Sequence, residues 1–253
     1  MFDAKKTTEE IVEFIRDYYK KNNLKGAVLG ISGGKDSGVV AALLVKALGS
    51  ENVIGLTLPC HSKDKDANFA KKVSDYYDFK LLNIDLTSTF DTFRNEVLKL
   101  GNYTDAHLKN SDINLKPRLR MSACYYMAAL MSAVNGGGYL VAGTSNKCEL
   151  YVGYFTKGGD SVHDIAPIAD LTVEEVIKVG EYLNVPREVL YRTPDDGLSG
   201  LSDEEKLGVT YKDIATYMDG EELPEEVKNK IKKLHNSNLH KFNIPTYRKE
   251  RSN

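Results

Sequence analysis

Cysteine is scarce: Cys60, Cys124 and Cys148 are the only three in 253 residues, and no C-x-x-C pair joins them. That excludes a zinc ribbon, an iron–sulfur site and a disulfide framework, and it fits a reducing compartment. No run approaches about 18 consecutive apolar residues, so no membrane helix is expected. Met1 to Glu10 is polar and charged where a secretory leader needs an apolar stretch, which places the expected location in the cytoplasm. The formal net charge is only −2 and no long block of Lys and Arg occurs, so nucleic acid is not an expected partner. Internal repeats and low-complexity tracts are absent too. What remains is an ordinary globular composition, 42% apolar and 28% charged, with length for one sizeable α/β domain spanning 1–253.

Periodicity supplies the element order. Thr7-x-x-Glu10 has the form of a capping box, and Ile11, Phe14, Ile15, Tyr18 and Tyr19 follow at helical spacing, so a helix is expected to open the chain. Ala27 to Ile31 is a short apolar run entering a glycine-rich turn, after which Val39 to Leu48 returns to helical spacing and Gly49 ends it. Val53 to Leu58 and Phe79 to Ile84 repeat the apolar run around a helix-like stretch from Asp64 to Tyr77. Further helices are expected around Phe90 to Leu100, from Leu119 to Val134, from Thr172 to Leu183 and from Tyr211 to Met218. Tyr139 to Ala142 reads as a fourth strand, and 193–203 as a turn-rich loop. Alternating units of this kind predict an open, doubly wound parallel sheet flanked by helices. Asn22-Asn23 and 193–203 are the two candidate boundaries.

The most informative stretch is Ser32-Gly33-Gly34-Lys35-Asp36-Ser37, set where a strand ends and a helix begins. Glycines admit an anion close to the backbone, the helix N-terminus presents unpaired N–H groups, and two hydroxyls add donors. It is not a Walker loop, because Asp36 follows the Gly-Lys pair where Ser or Thr is required and Leu29 replaces the first Gly. A carboxylate inside an anion site implies an intervening Mg²⁺. The competing reading is a glycine turn without a ligand. This run resembles the S-G-G-x-D-S loop of ATP pyrophosphatases.

Past the fourth strand stands Gly143-Thr144-Ser145-Asn146-Lys147-Cys148-Glu149. Ligands of open parallel sheets sit beyond the strand carboxyl ends where the winding reverses. With the first and fourth strands adjacent, Thr144 and Glu149 face the same crevice as Ser32 to Ser37, and Glu149 shares a metal with Asp36. The bland reading makes Thr144 the cap of the next helix. In the following stretch, Gly153 to Asp160, two aromatics beside Lys157 suit a planar ring with a charged tail, or else a surface turn with its aromatics tucked into the core.

The string from Gly143 through Asp164, G-T-S-N-K-x-E-x-x-x-G-Y-F-T-K-x-G-D-x-x-x-D, is similar to the signature of NAD synthetases. The resemblance extends to Asn114-x-x-Pro-Arg118-x-Arg120-Met121, to the segment from Asp203 to Tyr211, and to His240-Lys241. It implies a fold like that of the adenine nucleotide alpha hydrolases. It implies amidation of deamido-NAD to NAD by ammonia, through an adenylate, with ATP as cosubstrate. By the same resemblance Gly30, Ile31, Ser32, Gly33, Gly34, Lys35, Asp36, Ser37 and Thr144 bind ATP, and Asp36 and Glu149 hold Mg²⁺. Arg118, Lys157, Asp164, His240 and Lys241 contact deamido-NAD, while Asp160 lies at the ammonia pocket and is, with Lys157, a catalytic residue. A homodimer is implied as well. Taken alone, Arg118 and Arg120 read as an exposed pair at a helix start, and His240-Lys241 as a solvated tail.

Two positions depart from the family pattern: Val173 and Asp195 stand where a Lys and a Thr contact ATP, and Lys157, Lys178 or Lys206 is available to compensate. Two other readings compete: a tRNA-modifying pyrophosphatase, for which no cysteine pair or basic surface is visible, and a nucleotide sensor without catalysis. The chain carries no N-terminal Cys and no glutaminase-sized extension, so ammonia is the expected nitrogen donor.

Overall fold

Strand and helix alternate along the chain because short β-branched and leucine-rich runs are separated by amphipathic stretches closed by glycine or asparagine. The computed structural model describes residues 2–61, 65–192 and 202–247. It opens with α1 (Ala4–Lys21), β1 (Leu24–Gly30), α2 (Lys35–Leu48), β2 (Val53–Thr57), α3 (Lys65–Tyr77) and β3 (Lys80–Asn83). Then come α4 (Thr87–Leu98), α5 (Asp105–Asn135) and β4 (Gly138–Val141). The remainder is helical: α6 (Lys147–Val152), α7 (Val173–Tyr182), α8 (Arg187–Leu190), α9 (Asp203–Leu207), α10 (Tyr211–Met218) and α11 (Glu225–Asn238).

The strands pair in the order β3-β2-β1-β4, all parallel. Winding therefore runs one way from β1 through β2 to β3 and reverses between β1 and β4, which are neighbours as expected. Ala27, Val28 and Leu29 of β1 are all fully buried because both sheet faces are covered. Ala27 and Leu29 join Ile15 of α1, Val39 of α2 and Val176 of α7. Val28 joins Leu56, Val141 and the Cys124–Ala128 face of α5 on the other side. Each such buried Leu or Val contributes about 1.5–3 kcal/mol. A third cluster, with Cys148, Leu207, Tyr211, Ile214 and Ile231, fastens α6, α9, α10 and α11 beyond the sheet.

Close strand contact explains one glycine. A Cβ at Gly26 lies 2.4 Å from the Asn52 carbonyl oxygen and 2.4 Å from the Tyr139 ring, so β1 tolerates no side chain there.

Several boundaries differ from the sequence pattern. The opening helix is capped by Asp3, whose carboxylate accepts from the Lys6 N–H at 3.0 Å, and not by the Thr7-x-x-Glu10 box. Thr7 instead sits inside the first turn, since Asp is at least as good a cap as Thr. β1 begins at Leu24, three residues before the apolar run. α5 begins fourteen residues before Leu119, because Thr104 and His107 form a capping box and Pro117 is accommodated inside the helix. Arg118 and Arg120 consequently lie mid-helix, not at a helix start. α11, which the sequence reading did not assign, carries a narrow apolar stripe of Val227, Ile231 and Leu234 on an otherwise polar helix. Asn22-Asn23 is the turn between α1 and β1. Residues 193–201 of the expected loop, Asp195 among them, lie outside the described residues.

Candidate active site

The strand-to-helix turn after β1 is built around two serines. Ser32 Oγ and Ser37 Oγ lie 3.1 Å apart, the Gly34 N–H donates to Ser32 Oγ at 3.3 Å, and Ser37 Oγ donates to the Gly34 carbonyl at 3.1 Å. Gly33 has φ +75, the left-handed region where glycine is unstrained. Gly34 caps α2 without a side chain, which leaves the first N–H groups of the helix open to an anion.

Behind this turn, charge is concentrated. Lys35 is buried and its Nζ lies 2.8 Å from Asp36 Oδ2. Burial alone lowers the Lys35 pKa, but the carboxylates of Asp36, Glu149 and Asp203 outweigh it and hold the ammonium above its usual value. Asp36 Oδ1 accepts from Asn146 Nδ2 at 3.2 Å, and Asn146 is fully buried. Asn146 also caps α6: its Oδ1 accepts the Glu149 N–H at 3.1 Å, while Glu149 Oε2 accepts the Asn146 N–H at 3.0 Å. The loops after β1 and β4 thus meet, as the switch-point argument expects. The helix cap is Asn146 and not Thr144, which lies half-buried two residues earlier. Burial first, and the Asp36 charge second, push the Glu149 carboxyl well above the usual carboxylate range.

Residues 153–164 wrap from α6 across the middle of α5. Thr156 Oγ1 donates to Asn114 Oδ1 at 2.9 Å, and Gly159 packs so tightly on Pro117 that a Cβ there comes within 3.0 Å of it. Arg118 Nε and Nη2 donate to the Lys157 carbonyl, Lys157 Nζ donates to the His240 carbonyl at 2.7 Å, and Lys241 Nζ donates to the Gly153 and Phe155 carbonyls. Arg118, Lys157, His240 and Lys241 are therefore one connected group, and His240-Lys241 is no loose tail. Asp160 Oδ1 accepts the Thr156 N–H at 2.9 Å. The residue reaches solvent, yet protein packed around its carboxyl raises the pKa by desolvation, against the opposing pull of the Thr156 and Asp160 N–H groups, Lys241 and Arg120. Asp164 is tied down separately, accepting from Tyr125 Oη at 3.0 Å and from the Val141 N–H at 2.8 Å. Phe155 is buried edge-on against Phe242 with the Lys241 ammonium 5.3 Å over its face, and Tyr154 Oη donates to Asp203. The cation over the Phe155 ring is thus the chain's own Lys241.

Sequence reading gave no role to three residues at this site. Asp203 and Tyr211 close it from the third cluster, with the Lys35 ammonium 5.8 Å over the Tyr211 ring. Arg192 reaches the Gly33 carbonyl at 3.4 Å and stacks on Phe69. Their spacing in sequence carries no periodic signal, since they stand just after α8, at the start of α9 and at the start of α10. Val173 packs partly buried against the third cluster, and Lys178 is paired with Glu174.

A family model described as NAD synthase matches residues 7–245. The chain belongs to the NAD synthase family. An NH(3)-dependent NAD(+) synthetase of Alkaliphilus oremlandii is 38% identical over 248 residues, covering 96% of this chain and 96% of that one. The structure of NMN synthetase from Francisella tularensis superposes with a TM-score of 0.87 at 30% identity, covering 98% and 99% of the two chains. NH3-dependent NAD synthetase from Campylobacter jejuni, solved with the nitrate ion, gives a TM-score of 0.78 at 28% identity, covering 98% and 100%. As a member of the NAD synthase family the chain is an enzyme of that type, and the tRNA-modifying reading is not favoured. No helix among the described residues is long and apolar enough to cross a membrane.

Proposed function

We propose that this enzyme converts deamido-NAD to NAD with ammonia, cleaving ATP to AMP and pyrophosphate. The observation that carries the reading is the contact between Asn146 and Asp36, which joins the phosphate turn to the Glu149 loop at the strand switch point. ATP lies with its polyphosphate at the N-terminus of α2, against Gly30, Ile31, Ser32, Gly33, Gly34, Lys35 and Ser37, with Thr144 from the facing loop. Asp36 and Glu149 hold Mg²⁺. Two observations fit that ion: both carboxylates are hard oxygen donors, and one Glu149 oxygen accepts no hydrogen bond among the described residues. Polyphosphate oxygens and water would complete the coordination of an ion held by these two carboxylates. When bound, Mg²⁺ offsets the charge of the departing pyrophosphate.

Arg118, Lys157, Asp164, His240 and Lys241 contact deamido-NAD, exchanging some of their present backbone acceptors for the substrate. Held there, the nicotinate carboxylate oxygen attacks the α-phosphorus. An acyl–O–P bond forms and the Pα–O–Pβ bond breaks, while Lys35 and the N–H groups of α2 offset negative charge. Ammonia then attacks the carbonyl carbon, a C–N bond forms, AMP leaves, and the nitrogen sheds a proton. Asp160 attracts ammonium and takes the proton it must lose before attack, a role suited to a carboxyl whose pKa is raised above the usual range, and the proton shed after the C–N bond forms passes to solvent.

A second substrate reading, the nicotinate mononucleotide, is supported by the likeness to NMN synthetase at a TM-score of 0.87. Both acceptors present the same carboxylate. Incubation with ATP, ammonium and either acceptor, with NAD, NMN, AMP and pyrophosphate measured, ranks them by kcat/KM. Absence of amide product from both acceptors would contradict the reading.

The active form is a homodimer in the cytoplasm. Tyr126, Leu130 and Val134 recur at four-residue intervals along α5 and are exposed by 75%, 43% and 67%. That apolar stripe is the face that a second copy covers.

A further inference from the structure

Tyr211 is held everywhere except at its hydroxyl. Its N–H donates to Glu204 Oε1 at 2.8 Å, and its carbonyl accepts from Cys148 Sγ at 3.7 Å. The ring packs among Cys148, Ile214 and Ile231 and is 5% exposed. Its face carries the Lys35 ammonium, whose Nζ also bonds Asp36, so ring, lysine and proposed metal ligand form one stack. Within that packing the Tyr211 hydroxyl has no hydrogen-bond partner among the described residues. A buried O–H left unpaired is costly, and native structures keep few of them.

The surroundings fix what the hydroxyl offers. Burial, and then the charges of Glu149, Asp203 and Asp36, hold its pKa far above that of an ordinary tyrosine, so it keeps its proton. A neutral, single, buried O–H is a donor in search of an anionic acceptor. Asp203 already accepts from Tyr154 Oη at 2.9 Å.

We propose that the Tyr211 hydroxyl donates a hydrogen bond to the polyphosphate of ATP bound between the phosphate turn and the Asp36–Glu149 pair. Tyr211 is then a substrate-binding residue, matched to Mg²⁺-nucleoside triphosphate and idle without it. This rests on the ATP reading above.

Tyr211→Phe removes the hydroxyl and nothing else. Thermal unfolding and calorimetric titration of wild type and variant are compared, each alone and with Mg²⁺ plus α,β-methylene-ATP. The expected ligand-free variant melts at or above the wild-type temperature, because an unpaired polar atom has gone. Its nucleotide Kd rises about 10-fold or more, the size of a lost hydrogen bond to a charged group. A ligand-free variant that melts well below wild type overturns the proposal, since the hydroxyl then has a structural partner. Equal Kd values overturn it as well. Failure of the wild type itself to bind the analogue removes the ATP reading and this inference with it, an outcome distinct from the other two.

Discussion

Asn146 donates its side-chain NH₂ to Asp36 Oδ1 at 3.2 Å and its backbone N–H to Glu149 Oε2 at 3.0 Å, while its Oδ1 accepts the Glu149 N–H at 3.1 Å, so one buried residue holds both carboxylates of the site. The orientation is forced: with the oxygen occupied by a backbone donor, the NH₂ must face Asp36. Lys35 Nζ takes the other Asp36 oxygen at 2.8 Å.

Asn146→Asp preserves the helix cap but aims a carboxylate oxygen at Asp36. Repulsion should displace Asp36 and raise the Mg²⁺ concentration for half-maximal pyrophosphate release by about 10-fold or more, equivalent to about 1.4 kcal/mol. A metal titration of variant and wild type measures it. An unchanged midpoint would show that Asn146 serves only the helix.

Glu149 connects metal binding to pH. Its carboxyl is raised above the usual range in the ligand-free enzyme, so part of the population is protonated near neutrality. Mg²⁺ with ATP requires the ionised form, and binding must therefore release protons and tighten as pH rises until Glu149 is fully ionised. Calorimetry at pH 7 in two buffers of different ionisation enthalpy should report proton release in the wild type and its loss in Glu149→Gln. Equal release in both proteins contradicts the role.

Asp160→Asn separates the two chemical steps. The variant should slow amide formation about 10²–10⁴-fold, the range of general-base catalysis, with adenylation little changed. Rapid quench should then show adenylate accumulating on the enzyme. Because the Asp160 carboxyl is raised, the acid limb of wild-type amide formation should lie above the ordinary carboxylate range and vanish in the variant. Equal slowing of both steps would make Asp160 structural.

Much of this was legible in the sequence where chemistry and periodicity coincide. Ser32 to Ser37 announced a phosphate turn because glycines, hydroxyls and a helix start stand together, and β1 announced its position through Ala27, Val28 and Leu29. The adjacency of β1 and β4 was a condition of placing Glu149 beside Asp36, and the strand order meets it. Tyr211 stood out only as the end of the Asp203–Tyr211 resemblance, with no role attached, and Arg192 not at all, since their place at the site is a long-range packing result of α8 to α10. Asn146 hid behind Thr144, an equally good cap by composition. The length of α5 was concealed by Pro117, which normally ends a helix.

Gly26→Ala tests the sheet that carries the site. Its Cβ meets the Asn52 carbonyl oxygen and the Tyr139 ring at 2.4 Å, so strands must shift. A loss of about 1–3 kcal/mol in denaturant unfolding is expected. Wild-type stability would mean that β1 and β4 pack more loosely than the structure has them.

Leu130→Asp should break the proposed dimer. Placing a charge in the middle of the Tyr126–Leu130–Val134 stripe should shift sedimentation velocity from dimer to monomer, with the monomer's melting curve still cooperative. A dimer that survives the substitution places the interface elsewhere.

The central claim is that the acceptor's carboxylate attacks the α-phosphorus of ATP held by the β1–α2 turn. Deamido-NAD labelled with ¹⁸O in the nicotinate carboxyl group tests it directly. The account predicts one ¹⁸O in each AMP released and none in pyrophosphate, because the oxygen that forms the acyl–O–P bond leaves with AMP when ammonia takes the carbonyl. Unlabelled AMP, or label in pyrophosphate, would contradict it.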